Sequence, residues 1–191
     1  MTATFMGVEI RALAEALAGE PVAVIINTHY HIDHTHGNPA FDPGTRVVAS
    51  ERSLHHLQQL DAATFSGDAA ALLPNETFSS EQVLQLGDKT LWLIQPGRGH
   101  TDGDLVVVFV EDQALHTGDL FFNRHYPNID LEAGGSIVAW GDTLESLFAL
   151  GFEQVIPGHG QVTDAKGMRQ FQKFIRELAE LGAYAADTNA S

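Results

Sequence analysis

The sequence predicts a layered α/β fold with a mixed sheet, and three observations carry that prediction. Short apolar runs rich in β-branched residues alternate with stretches of helical periodicity along the chain. Two pairs of such runs are joined by turns short enough for hairpins, so antiparallel neighbours enter a sheet that the longer connections make parallel. The composition, 44% hydrophobic and 18% charged over 191 residues, is that of one folded domain with a sizeable core, and a single domain over 1–191 is expected.

The elements follow in order. Val8, Leu13, Ala14, Leu17 and Ala18 lie at helical spacing, which gives a helix over 7–18 with Gly19 just past its end. Residues 21–27 form an almost wholly apolar run, read as a strand buried on both faces. A polar, His-rich stretch over 28–38 follows. Residues 47–49 make another short strand, and Ser50 can cap a helix reaching about Thr64. Residues 67–73 read as a second helix stopped by Pro74. Residues 81–86 and 90–95 form a hairpin about Gly87-Asp88, and 105–110 and 114–117 form another across Glu-Asp-Gln. Ser136 caps a helix to Leu150, closed by Gly151. Residues 154–156 are a short strand, and Thr163 or Asp164 caps a last amphipathic helix to about Ala186.

Composition excludes several functions. The absence of cysteine rules out disulfides, thiolate nucleophiles, Cys-type zinc fingers and Cys-ligated iron–sulfur clusters. Ten Lys and Arg against 25 Asp and Glu leave a formal charge of −15, which repels phosphate backbones and anionic lipid, so neither nucleic acid nor a membrane is expected as partner. No apolar run is long enough to span a bilayer, and the first residues carry no basic segment followed by an apolar one, so the chain as written reads as cytoplasmic. Histidine stands out: its 10 residues equal Lys and Arg together.

Four of the chemically telling residues fall in Thr28-His29-Tyr30-His31-Ile32-Asp33-His34, the pattern H-x-H-x-D-H. Residues i and i+2 of an extended segment point the same way, so His29 and His31 can grip one ion. If the chain then turns, Asp33 and His34 can face a second ion. Imidazole and carboxylate are the usual ligands of zinc and other borderline metals. At this composition a chance match anywhere in the chain has odds of about 0.002. His100, Asp119 and His159 each follow a strand's carboxyl end and have glycine beside them, as ligand-binding residues of open α/β sheets do.

Taken together, H-x-H-x-D-H, Gly99-His100-Thr101, Thr117-Gly118-Asp119 and Pro157-Gly158-His159-Gly160, in this order, resemble the metallo-β-lactamase-fold hydrolases. The resemblance runs from about residue 5 to 186. It implies an αββα sandwich with the metals in a cleft at one edge of two sheets. It assigns His29, His31 and His100 to a first metal and Asp33, His34 and His159 to a second, with Asp119 bridging. It also implies that the chain lacks the opening strands of the first sheet, because members usually begin with several strands before the helix placed at 7–18. An uncovered sheet edge of that kind is expected to favour a homo-oligomer.

Position 119 narrows the resemblance. β-Lactamases of this fold tend to carry Cys or Ser there, whereas Asp119 resembles the glyoxalase II, lactonase, phosphodiesterase and sulfur dioxygenase branches. Glyoxalase II proper adds a helical domain that binds glutathione, and here 191 − 159 = 32 residues follow His159, enough for one helix. Lactonases often have tyrosine three residues after the bridging Asp, where this chain has Phe122. Flavodiiron members have Glu where this chain has His31. The RNA-processing branch favours basic surfaces, which a charge of −15 opposes.

The reading that results is a dinuclear metallohydrolase of small molecules. It holds two zinc ions, with iron or manganese as alternatives. A hydroxide bridging the metals attacks an ester, thioester, lactone or lactam carbonyl, and Asp33 orients that nucleophile and takes its proton. The alternatives are an iron-dependent dioxygenase of persulfide-like thiols and a non-catalytic metal-binding fragment. The long connection after Asp119 leaves straight from a ligand, so Asn123, Arg124, His125 and Tyr126 are candidates for substrate contact, against a plain alternative in which Phe121 and Phe122 are core and the rest is solvated loop. His36 is expected to be exposed, and His55, His56 and His116 to be structural.

Overall fold

The computed structural model describes residues 3–189; Met1, Thr2, Ala190 and Ser191 lie outside the described residues. The chain forms two compact units, 1–79 and 80–191. Both combine sheet and helix, as the alternation of patterns predicts.

The first unit holds a three-stranded parallel sheet in the order β1-β2-β3, made of β1 (Val24–Ile26), β2 (Arg46–Ser50) and β3 (Glu76–Phe78). Its helices are α1 (Ala3–Ala18), the single turn α2 (Ile32–Thr35) and α3 (Glu51–Leu60). The sequence places α1, but the helix starts at Ala3 rather than Gly7. Gly19 closes it in the left-handed region at φ 74°, its N–H donating to the Glu15 carbonyl over 2.8 Å. β1 corrects the reading of residues 21–27. Only three residues pair, and all three are half-buried rather than buried on both faces. As one outer strand of this sheet, β1 pairs among the described residues only with β2, so apolarity alone overstated its length and burial. Ser50 caps α3 by accepting the Ser53 N–H over 3.0 Å. That helix stops at Leu60, four residues short of the sequence reading, and residues 67–72 form a 3₁₀ helix. β3 was not read from the sequence at all, because Glu76-Thr77-Phe78 holds a single apolar residue and forms no apolar run.

α1 is tied to the segment that follows α2. A Cβ on Gly7 would strike the Gly37 carbonyl, so only glycine allows this approach of helix and loop. Four residues on, the Arg11 guanidinium donates to the Ala40 carbonyl over 3.1 Å and to Asp42 over 2.9 Å.

The second unit is a five-stranded sheet in the order β4-β5-β6-β7-β8: β4 (Glu81–Leu86), β5 (Lys89–Ile94), β6 (Val106–Phe109), β7 (Ala114–His116) and β8 (Gln154–Ile156). The first four run antiparallel, as the two predicted hairpins require, and β8 joins β7 in parallel. α4 (Ile137–Leu147) and α5 (Ala165–Asn189) complete the unit. Ser136 caps α4 through the Ala139 N–H, and a 3₁₀ turn over Phe148–Leu150 carries the helix to Gly151 in the left-handed region, φ 71°. Asp164 rather than Thr163 caps α5, accepting from the Gly167 N–H over 3.0 Å. Trp140, Leu144, Leu147, Met168, Phe171 and Ile175 of the two helices form one core with Val106, Val108, Leu115 and Val155 of the strands. Among the described residues no helix is long and apolar enough to cross a membrane.

Gly7→Leu tests the anchoring of α1. In a free helix the change would stabilise by roughly 1 kcal/mol. Here the added side chain meets Gly37, so the variant is expected to lose about 1–3 kcal/mol, read from urea unfolding. A gain in stability would show that α1 does not depend on this contact.

Candidate metal centre

Each unit brings together part of the predicted ligand set. In the first, β1 runs out at Asn27, whose N–H still donates to the Val48 carbonyl at 2.9 Å. The side chains of Asn27 and Asn38 are both buried and face each other amide to amide. The Asn38 Nδ2 donates to Asn27 Oδ1 over 2.8 Å, and the Asn27 Nδ2 donates to Asn38 Oδ1 and to the His34 carbonyl. This pair clips the far end of the His-rich loop back to the strand that launched it. Between the clips His31 is still extended, with φ −61° and ψ 155°, and α2 begins at Ile32. The Thr35 hydroxyl donates into the Tyr30 and His31 carbonyls at 3.1 and 3.0 Å, fastening the turn. The sequence condition, an extended His29-x-His31 followed by a turn, is what the backbone adopts.

The result is three imidazoles side by side. The ring centroids of His29 and His31 are 4.7 Å apart and those of His29 and His34 4.2 Å apart. Asp33 Oδ2 lies 3.4 Å from His34 Nε2. The Thr28 hydroxyl stands 3.2 Å from His29 Nδ1 and 3.4 Å from His34 Nδ1. A hydroxyl oxygen has two acceptor sites, so it can accept a hydrogen bond from both Nδ1–H groups at once. That tautomer leaves both Nε2 lone pairs for metal.

In the second unit the same logic uses β-strand ends. His100 follows β5 and is almost completely buried. Its Nδ1 donates to the Asn128 carbonyl over 2.8 Å, which turns Nε2 toward Asp119, 3.5 Å from Oδ2. His159 Nε2 lies 3.4 Å from that same oxygen. Asp119 sits in the 3₁₀ turn over Gly118–Leu120, directly after β7. Gly118 adopts φ 50°, and its N–H donates to His116 Nδ1 over 3.1 Å, which gives His116 the structural role expected of it. A Cβ on Gly158 would collide with the Asp119 carboxylate and the Gly118 backbone, so the glycine before His159 is what lets that loop close on Asp119.

Thr101, the last residue of the Gly99-His100-Thr101 motif, and Asp104, which the sequence reading passed over, support His100. Asp104 is buried and accepts from the Thr101 N–H over 2.9 Å and the Thr101 hydroxyl over 2.6 Å, fixing the turn beside the imidazole. Burial pushes its pKa up to about 7, against the lowering effect of the Thr101 hydrogen bonds, with the nearby Asp119 charge adding to the rise. Asp104 belongs to no spacing rule, and its only sequence signal was the Gly-rich setting of His100. His36 corrects the expectation of exposure. It is half-buried, its Nε2 2.6 Å from Asp61 Oδ2 and its ring against Phe65, so it ties α2 to the end of α3.

Asn123, Arg124, His125 and Tyr126 line a cavity of about 340 Å³ with α5, and Arg124, His125 and Tyr126 are at the same time exposed, as the solvated-loop alternative expects. Phe121 and Phe122 are buried, and Phe122 stacks on His159 with centroids 5.2 Å apart and planes at 16°. Within each unit the donor set is imidazole nitrogen and carboxylate oxygen, with the supporting hydrogen bonds on the ring nitrogens that face away; that chemistry fits zinc and its neighbours.

The sequence model of the metallo-beta-lactamase superfamily matches residues 3–159, and the chain belongs to that superfamily. It is 28% identical over 150 residues to the 2,4-dinitroanisole O-demethylase subunit alpha of a Nocardioides species, covering 78% of this chain and 44% of that one. It is 29% identical over 143 residues to the hydroxyacylglutathione hydrolase of Rhodospirillum rubrum, covering 74% and 48%. The chain thus spans about half the length of these two curated relatives. A metallo-beta-lactamase from Pontibacter korlensis superposes with a TM-score of 0.75 at 23% identity over 88% of this chain and 75% of that one, which shows the shared fold.

Thr28→Val removes the shared acceptor while keeping shape. Zinc affinity, measured by competition with a chromophoric chelator, is expected to fall about 10- to 100-fold with the circular dichroism spectrum unchanged. Unaltered affinity would show that Thr28 does not orient the two imidazoles.

Proposed function

We propose that the chain is a dinuclear metallohydrolase of small molecules in which His29, His31 and His100 hold one zinc ion, Asp33, His34 and His159 hold a second, and Asp119 bridges them. The observation that carries this reading is Asp119 itself, whose Oδ2 stands 3.5 Å from His100 Nε2 and 3.4 Å from His159 Nε2. A carboxylate has two acceptor oxygens and can join two cations, which imidazole cannot. Superfamily membership supports the rest, because the matched segment 3–159 includes all seven residues.

The two ions would supply a water activated near neutral pH and a Lewis acid for the substrate carbonyl. The chain's own part is positional. Thr28 and the Asn128 carbonyl hold His29, His34 and His100 with Nε2 presented. Asp33 is half-exposed, so its carboxylate can orient the attacking water and accept its proton. The chemistry calls for no Ser or Cys nucleophile, in keeping with a chain that has no cysteine. The substrate class is an ester, thioester, lactone or lactam.

Elemental analysis of the purified protein beside a panel of those four substrate types tests the reading. Zinc at two per chain with turnover of at least one substrate is expected. Iron with oxygen uptake would turn the assignment to a dioxygenase, and full metal loading without any turnover would make it a binding module. Asp119→Ala is expected to drop the stoichiometry from two metals to one, since the three histidines of the first ion remain, and to reduce kcat at least tenfold. An unchanged metal count with a near-normal rate would remove Asp119 from the site. Chelation should lower Tm, because metal that binds only the folded chain stabilises it by mass action; equal Tm with and without chelator would count against a resident metal.

A further inference from the structure

The loop after Asp119 does more than border a metal ligand. It is zipped to the loop carrying His159: the Asn123 N–H donates to the His159 carbonyl over 2.8 Å and the Asn123 side chain to the Gln161 carbonyl over 2.7 Å. Gly160, at φ 103°, lacks the Cβ that would strike the Asn123 carbonyl. The next residue, Arg124, adopts φ 60°, a left-handed conformation that costs a non-glycine residue of order 1 kcal/mol. With that bend, residues 124–126 share the 340 Å³ cavity with Gln170, Phe171 and Phe174 of α5. A second cavity of about 410 Å³ shares Asn123, Arg124, His125, Gly167 and Gln170 with the first, so the two adjoin.

The halves differ in chemistry. The first is walled by Phe122, Phe171 and Phe174, with Tyr126, 90% exposed, at its rim; the Phe122–Phe171 centroids are 6.3 Å apart, Phe171–Phe174 6.5 Å and Phe174–Tyr126 6.3 Å. The second is polar, lined by backbone, Gln161, Thr163 and Gln170. Among the described residues neither half is lined by Asp or Glu, in a chain that has 25 of them. The cation where the halves meet is Arg124, which has no ion pair or hydrogen bond among the described residues, and His125 stands beside it. An uncommitted guanidinium at the mouth of an acid-free aromatic cavity matches an organic anion with a flat apolar body. The inner wall, Phe122, stacks directly on His159.

We propose that this cavity binds an aromatic carboxylate, its ring among Phe122, Phe171, Phe174 and Tyr126 and its carboxylate at Arg124, and that the substrate carries such a group. The last clause rests on the hydrolase reading; the binding does not.

Calorimetry on the metal-loaded protein uses 3-phenylpropionate as probe, with propionate (charge without ring) and 3-phenylpropionamide (ring without charge) as controls. The probe is expected to bind at least about tenfold more tightly than either control. Phe174→Ala should weaken it about tenfold, and Gln170→Trp, which fills the mouth, should abolish it. Arg124→Gly keeps the left-handed backbone free of strain, and should cost about three- to fivefold for the probe and nothing for the amide. Equal affinity for 3-phenylpropionate and propionate, or indifference to both Phe174→Ala and Gln170→Trp, would overturn the proposal, since the carboxylate would then be binding elsewhere. The hydrolase reading fails separately. Protein that binds the probe in this pattern but turns over no ester or thioester keeps the pocket and loses that reading. A hydrolase with no preference for arylalkyl over methyl esters, unaffected by the three variants, keeps that reading and loses the pocket.

Discussion

A carboxylate that is 4% exposed between two imidazoles is the constraint around which the second unit is organised. Taking an ionised carboxylate out of water is costly unless charge and hydrogen bonds replace the lost hydration. Several residues beside Asp119 fix the turn that carries it. β7 ends one residue before Thr117, whose hydroxyl donates to the Ile156 carbonyl and stitches the turn to β8. Gly118 bends through the left-handed region. The Trp140 indole donates to the Leu120 carbonyl over 2.9 Å, and Phe121 enters the core against Phe171. The core is what makes the turn rigid, and the turn is what makes the carboxylate available in one place.

The first unit solves the same problem with less apolar material. Val47, Val48, Ala49, Leu57, Phe65, Leu72 and Phe78 are its buried hydrophobics, and none of them lies in the His-rich loop. That loop is held by side-chain to backbone bonds instead: Asn27 and Thr35 onto carbonyls within it, and Asn38 onto the Leu72 carbonyl. Each such bond contributes only about 1 kcal/mol net. Their value is geometric. Loss of rotamer freedom is settled at folding, so three imidazoles already stand together before any ligand arrives.

Much of this was legible in the sequence, for reasons that differ by element. Ser50, Ser136 and Gly151 announce helix ends through local chemistry that tertiary structure rarely overrides. The hairpins of β4–β7 were legible because alternation and turn residues agree. H-x-H-x-D-H was legible because chemistry that needs four donors in six residues leaves a dense trace. What was missed has two causes. Asp104 and Thr28 have partners close by, Thr101 for the one and His29 and His34 for the other, through hydrogen bonds that no motif marks, whereas Asn38 reaches Asn27 and Leu72, 11 and 34 residues away. His36 was read as exposed because its partner, Asp61, is 25 residues away. The length of β1 was overstated because an apolar run signals burial without saying what buries it. The αββα resemblance supplied the fold name that local patterns alone left at mixed α/β.

Net charge misleads if it is read as a property of every surface. Half of the chain's ten Lys and Arg are committed to tying elements together: Arg11 to Asp42, Arg46 to Glu76 across β2 and β3, Lys89 to Asp112, and Arg169 and Arg176 from α5 to Glu145 and Asp142 of α4. Such exposed pairs add little stability individually, about 0–1 kcal/mol. They do neutralise locally, and they leave the excess of carboxylates as a diffuse negative field over the remaining surface. Within that field a single uncommitted guanidinium in a patch without acids is conspicuous. Salt screens that field beyond a Debye length of about 8 Å, so it opposes a small anion at Arg124 less than one lying over the acidic surface. A chain at −15 can for that reason select an anionic small molecule while rejecting polyanions, whose many charges must also lie over the acidic surface.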